Sequence, residues 1–249
     1  MLVNSPRLNA CISVVLLLAF WQLLATSLKL QALPPATEVL KQLVMVTENG
    51  QLPYHLGITL TRLIVSFSLS MIIGVLIGIG LGRQPILDQF FDQWLLILLN
   101  IPALVTIILC YLWFGLTEAA AILAVVINKV PNVVVTIREG TRALDTRLLE
   151  MADSYRFGRW KTYRHVIWPQ LFPYLMAAAR TGLALIWKII LVVELLGCSN
   201  GMGYQIHLFF QLFDVTSILA YTIAFIIVIQ LIEMFILKPL EQRASTWRQ

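Results

Sequence analysis

Residues 150–169 read "EMADSYRFGRWKTYRHVIWP", a charged and aromatic stretch set between two apolar segments. It gathers Arg156, Arg159, Lys161 and Arg164 with Glu150 and Asp153. From Thr146 to Trp168 the spacing is helical. Leu148, Met151, Ala152 and Tyr155 share one face, and Trp160, Tyr163 and Ile167 share another. "RFGR" interrupts the pattern and Pro169 limits the second segment, which predicts two short helices with charged faces outward. Periodicity leaves two readings open. The segment either rests on anionic headgroups or presents a surface that another protein grips.

The rest of the chain decides what surrounds this stretch. Of 249 residues, 59% are hydrophobic and 12% charged, against about 25% charged in a soluble domain. Mean hydropathy is +0.83. Six runs approach the roughly 20 apolar residues that cross a bilayer: Cys11–Leu28, Leu63–Leu81, Trp94–Leu112, Ala119–Val135, Leu175–Leu196 and Ile218–Leu237. The fold expected is therefore an all-α integral membrane protein with six transmembrane helices. The first run, "CISVVLLLAFWQLLATSL", outlasts the apolar core of a secretory signal, and no small-x-small cleavage site closes it. It reads as a retained anchor.

Several chemistries are excluded by the residues present. Cys11, Cys110 and Cys198 are odd in number and scattered, so they make no disulfide framework. His55, His165 and His207 fall in three separate connecting regions, read as polar loop residues, and no metal site is expected. No G-x-x-x-x-G-K-[ST] stretch and no nucleophile–base–acid set is present, so the chain itself is not expected to be an enzyme. The net charge of +5 sits mostly beside spans, where it reports topology rather than nucleic-acid binding.

Orientation follows from lysine and arginine in the short loops. Arg138, Arg142, Arg147, Arg156, Arg159, Lys161 and Arg164 lie between spans four and five, and Lys238, Arg243 and Arg248 in the tail. "GLTE" and "GCSNGMGYQIHLFFQLFD", after spans three and five, contain neither residue. Both termini and the 138–170 loop are thus expected in the cytoplasm, although Lys29 and Lys41 in the first outer loop run against the rule. In that loop "LPPATEVLKQLVMV" predicts a short amphipathic helix at the outer interface. Gly74, Gly78, Gly80 and Gly82 give span two small-xxx-small spacings for close helix packing.

Three ionisable residues fall inside apolar runs: Lys129, Lys188 and Glu194. A charge at the bilayer centre costs about 2.5–3.5 kcal/mol on insertion scales, so such residues face a bundle interior or a water cavity. Lys129 lies about 13 Å along the helix from Arg138, too deep to snorkel. Asn128 and Pro131 beside it permit a kink with free carbonyls. Two readings stand: the lysines satisfy buried carbonyls or carboxylates, or they line a translocation path that favours an anion. Glu194 either joins that path or hydrogen-bonds the "GCSNGMGY" loop.

The 150–169 stretch resembles the cytoplasmic E-A-A loop of ABC importer permeases. Glu150 falls on the E, Met151 and Ala152 on the two alanines, Val166 on the I and Trp168-Pro169 on the L-P, whereas the motif's glycine is Arg156 and a glycine comes only at Gly158. "HLGITLTRLIVSFSLSMIIGVLIGIGLG", "NIPALVTIILCYLWFGLTEAA", "TRALDTRLLEMA" and "LVVELLG" are similar, in this order, to the nitrate/sulfonate/taurine branch of those permeases. The resemblance implies a type I importer permease fold, paired as a homodimer in the bacterial inner membrane. It implies an ATPase subunit beneath each copy and a periplasmic or lipid-anchored substrate-binding protein above. ATP and magnesium would be held by the ATPase and no cofactor by this chain. Glu150, Met151, Ala152, Tyr155, Arg156, Gly158, Trp160 and Pro169 would form the coupling segment, with Glu150 pairing a basic group and Tyr155 and Trp160 serving as apolar anchors. Lys129, Lys188, Glu194 and Asn128 would belong to the path of a small anion such as nitrate, taurine or another sulfonate.

The chain then divides into an N-terminal transmembrane helix (1–34), a periplasmic amphipathic segment (35–56) and a permease core (57–249) whose coupling loop spans about 138–170. The rival, an ATP-independent secondary transporter or channel, predicts inverted repeats with discontinuous helices, and no paired interruption is apparent in the sequence.

Overall fold

A computed structural model describes residues 6–28, 30 and 32–239, and the regular structure in them is helical. In chain order the helices are α1 (Pro6–Leu28), α2 (Ala36–Glu48), α3 (Gln51–Arg83), α4 (Pro85–Asn100), α5 (Ala103–Phe114) and α6 (Glu118–Arg142). There follow α7 (Thr146–Ser154), α8 (Arg159–Thr162), α9 (Trp168–Gly197), α10 (Met202–Gln211) and α11 (Val215–Ile232). Helix is what these compositions must form in hydrocarbon, where each backbone N–H and C=O needs a partner within its own segment. Lys29, Arg243 and Arg248 lie outside the described residues.

Among the described residues four helical stretches are long and apolar enough to span a membrane: Gln51–Arg83, Glu118–Arg142, Arg159–Gly197 and Val215–Phe235. A fifth crossing is made by α4 and α5 together, bent by 94° at Ile101–Pro102, and the apolar part of α1 is the shorter helix Ile12–Leu28. Expectation and structure differ at four places. Span two begins twelve residues early, at Gln51, because "HLGITLTR" continues the helix instead of preceding it. Span three is interrupted where Pro102 lacks the N–H that would continue it. The supposed loop after span five holds α10. Finally, Pro169 does not end a surface helix. A five-residue π turn over Tyr163–Ile167, closed by the Trp168 N–H on the Tyr163 carbonyl, carries the segment from Arg159 into α9 without a break. A π turn shifts the bonding pattern by one residue and so absorbs a proline's missing donor.

The bundle is organised around α3, α6 and α9. A side chain at Gly74, Gly78 or Gly82 would come within 2.5–2.8 Å of Val133, Ile137 or Thr141 respectively. The offset between partners is constant, so α3 and α6 run parallel with their backbones in near contact. Ser66 and Ser70, both fully buried, continue the same four-residue stripe on α3. Gly80 lies off the stripe and meets nothing within 4 Å. Helix α9 packs antiparallel to α6, with Gly140 against Tyr174 at one end and Lys129 against Gly182 further along.

The largest apolar cluster joins α3, α5, α6, α9, α10 and α11 through Leu63, Ile107, Val125, Ile190, Met202 and Tyr221. Helix α2 packs against α11, with the Gln42 amide donating to the Ser217 hydroxyl at 2.9 Å, and buries Val39 fully. Helix α1 exposes Leu16, Leu17, Phe20 and Leu23, a surface suited to lipid rather than water.

Candidate functional site

One end of the bundle carries Arg83, Arg142 and the α7–α8 segment and is called here the basic end. Helix α7 starts with the Asp145 carboxylate accepting from the Arg147 N–H at 2.8 Å, while the Asp145 N–H donates to Gln170 Oε1 on α9 at 2.8 Å. It closes in a Schellman turn. The Phe157 N–H reaches the Ala152 carbonyl and the Arg156 N–H the Asp153 carbonyl, each at 2.8 Å. The left-handed residue of that turn is Arg156, with φ 54°. Gly158, at φ −64° and ψ 156°, is an extended residue ahead of α8. The backbone turn is thus made without a glycine.

Within this segment Ala152 is turned inward and buried, whereas Glu150, Met151, Tyr155, Arg156 and Gly158 are exposed. Tyr155 is 75% and Trp160 73% exposed, so two large rings stand clear of the bundle. Trp160 stacks on Tyr163 with centroids 6.3 Å apart, and the aromatic row continues through Trp168 to Phe172. Lys161 lies over the Phe157 ring, 4.4 Å from its centre. Glu150 makes no ion pair among the described residues. Pro169 sits in the first turn of α9. Glu150, Met151, Tyr155, Arg156, Gly158 and Trp160 thus lie exposed on one protruding segment, with Ala152 beneath it and Pro169 in α9.

The opposite end holds a polar network that sequence reasoning largely missed. Arg62 of α3 is 4% exposed. Its Nε donates to Glu118 Oε2 at 2.8 Å and its Nη1 to Glu194 Oε1 at 2.7 Å and to the Asn200 carbonyl at 2.9 Å. Its Nη2 completes a fork on Glu118 and reaches the Asn200 side chain. Glu194, fully buried near the end of α9, also accepts from the Thr59 hydroxyl and the Gly203 N–H, each at 2.9 Å. The first turn of α10 thus lies on this carboxylate, where the helix dipole favours negative charge. Any side chain at Gly201, which has φ 104°, would overlap the Glu194 carboxylate. His55, inside α3 and buried rather than in a loop, accepts from the Gly201 N–H at 3.1 Å. His165 and His207 are helical as well.

Between the two ends the lysines part company. Lys129 is 2% exposed, packed against Gly182 with no carboxylate in ion-pair range among the described residues. Lys188 is exposed on α9 beside the Trp187 ring. It lines a cavity of about 190 Å³ with Arg180, Trp187, Gln230 and Glu233. Asn128 is half-buried. Lys129, Lys188 and Glu194 are not brought together: one lies in the α3–α6–α9 seam, one on the open face of α9 and one in the end network. A clue to Arg62 was available, since it interrupts "HLGITLTRLIVSFSL", but starting the span at Leu63 made it a flanking charge.

The family described as binding-protein-dependent transport system inner membrane component matches residues 70–245. The chain is 31% identical over 237 residues to the putative aliphatic sulfonates transport permease protein SsuC of Bacillus subtilis, covering 93% of this chain and 84% of that one. It is 24% identical over 242 residues to the taurine transport system permease protein TauC of Escherichia coli, covering 94% and 88%. The nitrate import permease protein NrtB of Synechocystis is 24% identical over 214 residues, covering 82% and 78%. In three dimensions it resembles a chain of the inward-facing MetNI methionine ABC transporter with a TM-score of 0.64 at 17% identity, covering 76% of this chain and 92% of that one. A long amphipathic turn between two spans, a helical bundle of type I importer shape and this sequence match agree. The chain belongs to the binding-protein-dependent transport system inner membrane component family and is the permease component of an ABC importer.

Proposed function

We propose that this permease works as a homodimer in the bacterial inner membrane, with both termini and the α7–α8 turn in the cytoplasm. There it docks a separate ATPase subunit that binds ATP and magnesium, and on the opposite face it receives a periplasmic or lipid-anchored binding protein. The observation that carries the reading is the protruding turn. A fixed Schellman cap holds Met151, Tyr155 and Trp160 exposed, and large rings on a rigid turn are what an interface pocket takes up. The lysine and arginine around it support the cytoplasmic side. Copurification from the native host with a non-hydrolysable ATP analogue tests this. A stoichiometric ATPase, lost when Glu150 and Tyr155 are both changed to alanine, is the expected result. A chain isolated alone and transporting in ATP-free liposomes would overturn it.

The cargo we infer is a small anion, a class shared by the sulfonates, taurine and nitrate named for the relatives. Lys188 on the open face of α9, with Lys129, Asn128 and Glu194 deeper in the same bundle, would supply polar contacts along the path. Lys188→Gln should lower the flux of such an anion, and unchanged flux and substrate choice would remove Lys188 from the path. The 94° break between α4 and α5 is the one feature that a secondary transporter shares. An inverted repeat needs a second such break, and among the described residues there is one.

A further inference from the structure

A clasp of charges ties the first turn of α4 to the last turn of α6, immediately before the docking segment. Asp88, 4% exposed, accepts from Arg138 Nη1 at 3.1 Å through one oxygen and pairs with Arg142 through the other. Asp92, one turn along α4, accepts from the same Arg138 nitrogen at 2.7 Å. Glu139 pairs with both arginines from their own helix, at 3.4 and 2.9 Å. Asp88 stands in the first turn of α4 and Arg142 in the last turn of α6, so the two helix dipoles favour that pairing. Among the described residues the buried apolar contact of α4 with the bundle is that of Leu95 with Leu81 and Val134. Its remaining face, Ile86, Phe90, Trp94 and Ile97, is exposed hydrocarbon.

Two further facts give the clasp a direction. Between Arg142 and the Asp145 cap of α7 lie only Ala143 and Leu144, whose N–H groups bond back to Glu139 and Thr141. A displacement of α7 is therefore delivered to the end of α6 with little slack. Beyond α4 the chain bends at Ile101–Pro102 into α5, where the Tyr111 hydroxyl donates to the Val193 carbonyl at 2.9 Å, within one residue of Glu194. We infer that Asp88 and Asp92 are positioning residues through which movement of the docking turn is passed, by way of Arg138 and Arg142, to the broken span α4–α5. From there it reaches the Arg62–Glu194 network at the opposite end. This rests on the docking reading above.

Hydrogen–deuterium exchange of the whole complex, nucleotide-free and with ATP and orthovanadate, tests it without knowledge of the cargo. In the parent complex, nucleotide should alter exchange in peptides covering 146–158 and in those covering 85–114. In Asp88→Asn the first response should persist while the second falls by about tenfold, on the scale of coupling carried by a charge network. Because Asp88 is buried, that variant could fail to assemble. Asp92→Asn, whose side chain is 42% exposed and holds Arg138 alone, then carries the same test with a smaller loss. Equal responses in variant and parent at 85–114, or a parent response confined to 146–158, would overturn the inference. A parent complex silent at 146–158 would instead overturn the docking reading.

Discussion

Arg156 occupies a backbone conformation that costs an L-residue about 1–2 kcal/mol, and it does so at the position where the importer loop motif has glycine. The turn survives because the Phe157 and Arg156 N–H groups satisfy two carbonyls at the end of α7. Arg156→Gly should therefore raise the stability of the isolated permease by about 1 kcal/mol, read as an upward shift of the thermal midpoint in detergent. A lower midpoint would mean that the arginine side chain, not the turn, holds the segment. Gly201 is the opposite case. Its φ of 104° and the Glu194 carboxylate where a side chain would stand leave alanine no place. Gly201→Ala should cost about 3 kcal/mol or more and sharply lower the yield of folded protein. Full recovery of a stable variant would show that the α10 turn is not pinned as described.

At the scale of helices, the α3–α6 seam separates glycines that look alike in sequence. Gly78→Ala should cost about 1–3 kcal/mol, because the added carbon meets Ile137 at 2.8 Å and the Val134 carbonyl at 2.9 Å. Gly80→Ala, which meets nothing, should be neutral or stabilising by about 0.5–1 kcal/mol through helix propensity. Thermal denaturation of the two variants side by side decides it, and equal losses would dissolve the seam. Four-residue spacing was legible in the sequence, but membership of the seam was not, since contact depends on a face that α6 must supply. The break in span three was hidden for another reason. "LLNIPALV" averages as apolar, and hydropathy over a window cannot register one missing N–H. Arg62 was missed and His55 misplaced because apolar composition begins at Leu63, while α3 is already helical at Gln51; α10, at ten residues, is too short to register as a span. The α7–α8 turn was legible because its charges and rings contrast with hydrocarbon. Its left-handed residue was not, because glycine is the usual mark of that conformation and Arg156 carries none.

The molecule has a polar device at each end and a buried ammonium, Lys129, between them. Arg62 is matched by two carboxylates and Asp88 by two arginines, whereas Lys129 has no carboxylate in range among the described residues. The pocket made by Gly182 shows that the bundle is built to hold the lysine stem, since any side chain there would meet Lys129 Cε at 2.9 Å. An unpaired charge in mid-bundle that is accommodated at the cost of close packing is hard to explain by stability alone. Methionine has nearly the same length and no charge, and replacing a buried ionic group by a well-packed apolar one is often neutral or stabilising. Lys129→Met should therefore raise the thermal midpoint of the permease, by an amount bounded by the roughly 2.5–3.5 kcal/mol cost of a central charge. If the lysine serves the anion, the same variant should lower ATP-driven uptake of taurine, nitrate or an alkanesulfonate into liposomes, with hydrolysis by the complex retained. A more stable variant with unaltered uptake would make Lys129 a packing residue and leave the path to the open face of α9. A less stable one would mean that the ammonium has a partner, such as bound water against Ser66 and Ser70, whose hydroxyls are buried and unpaired on the same stripe of α3.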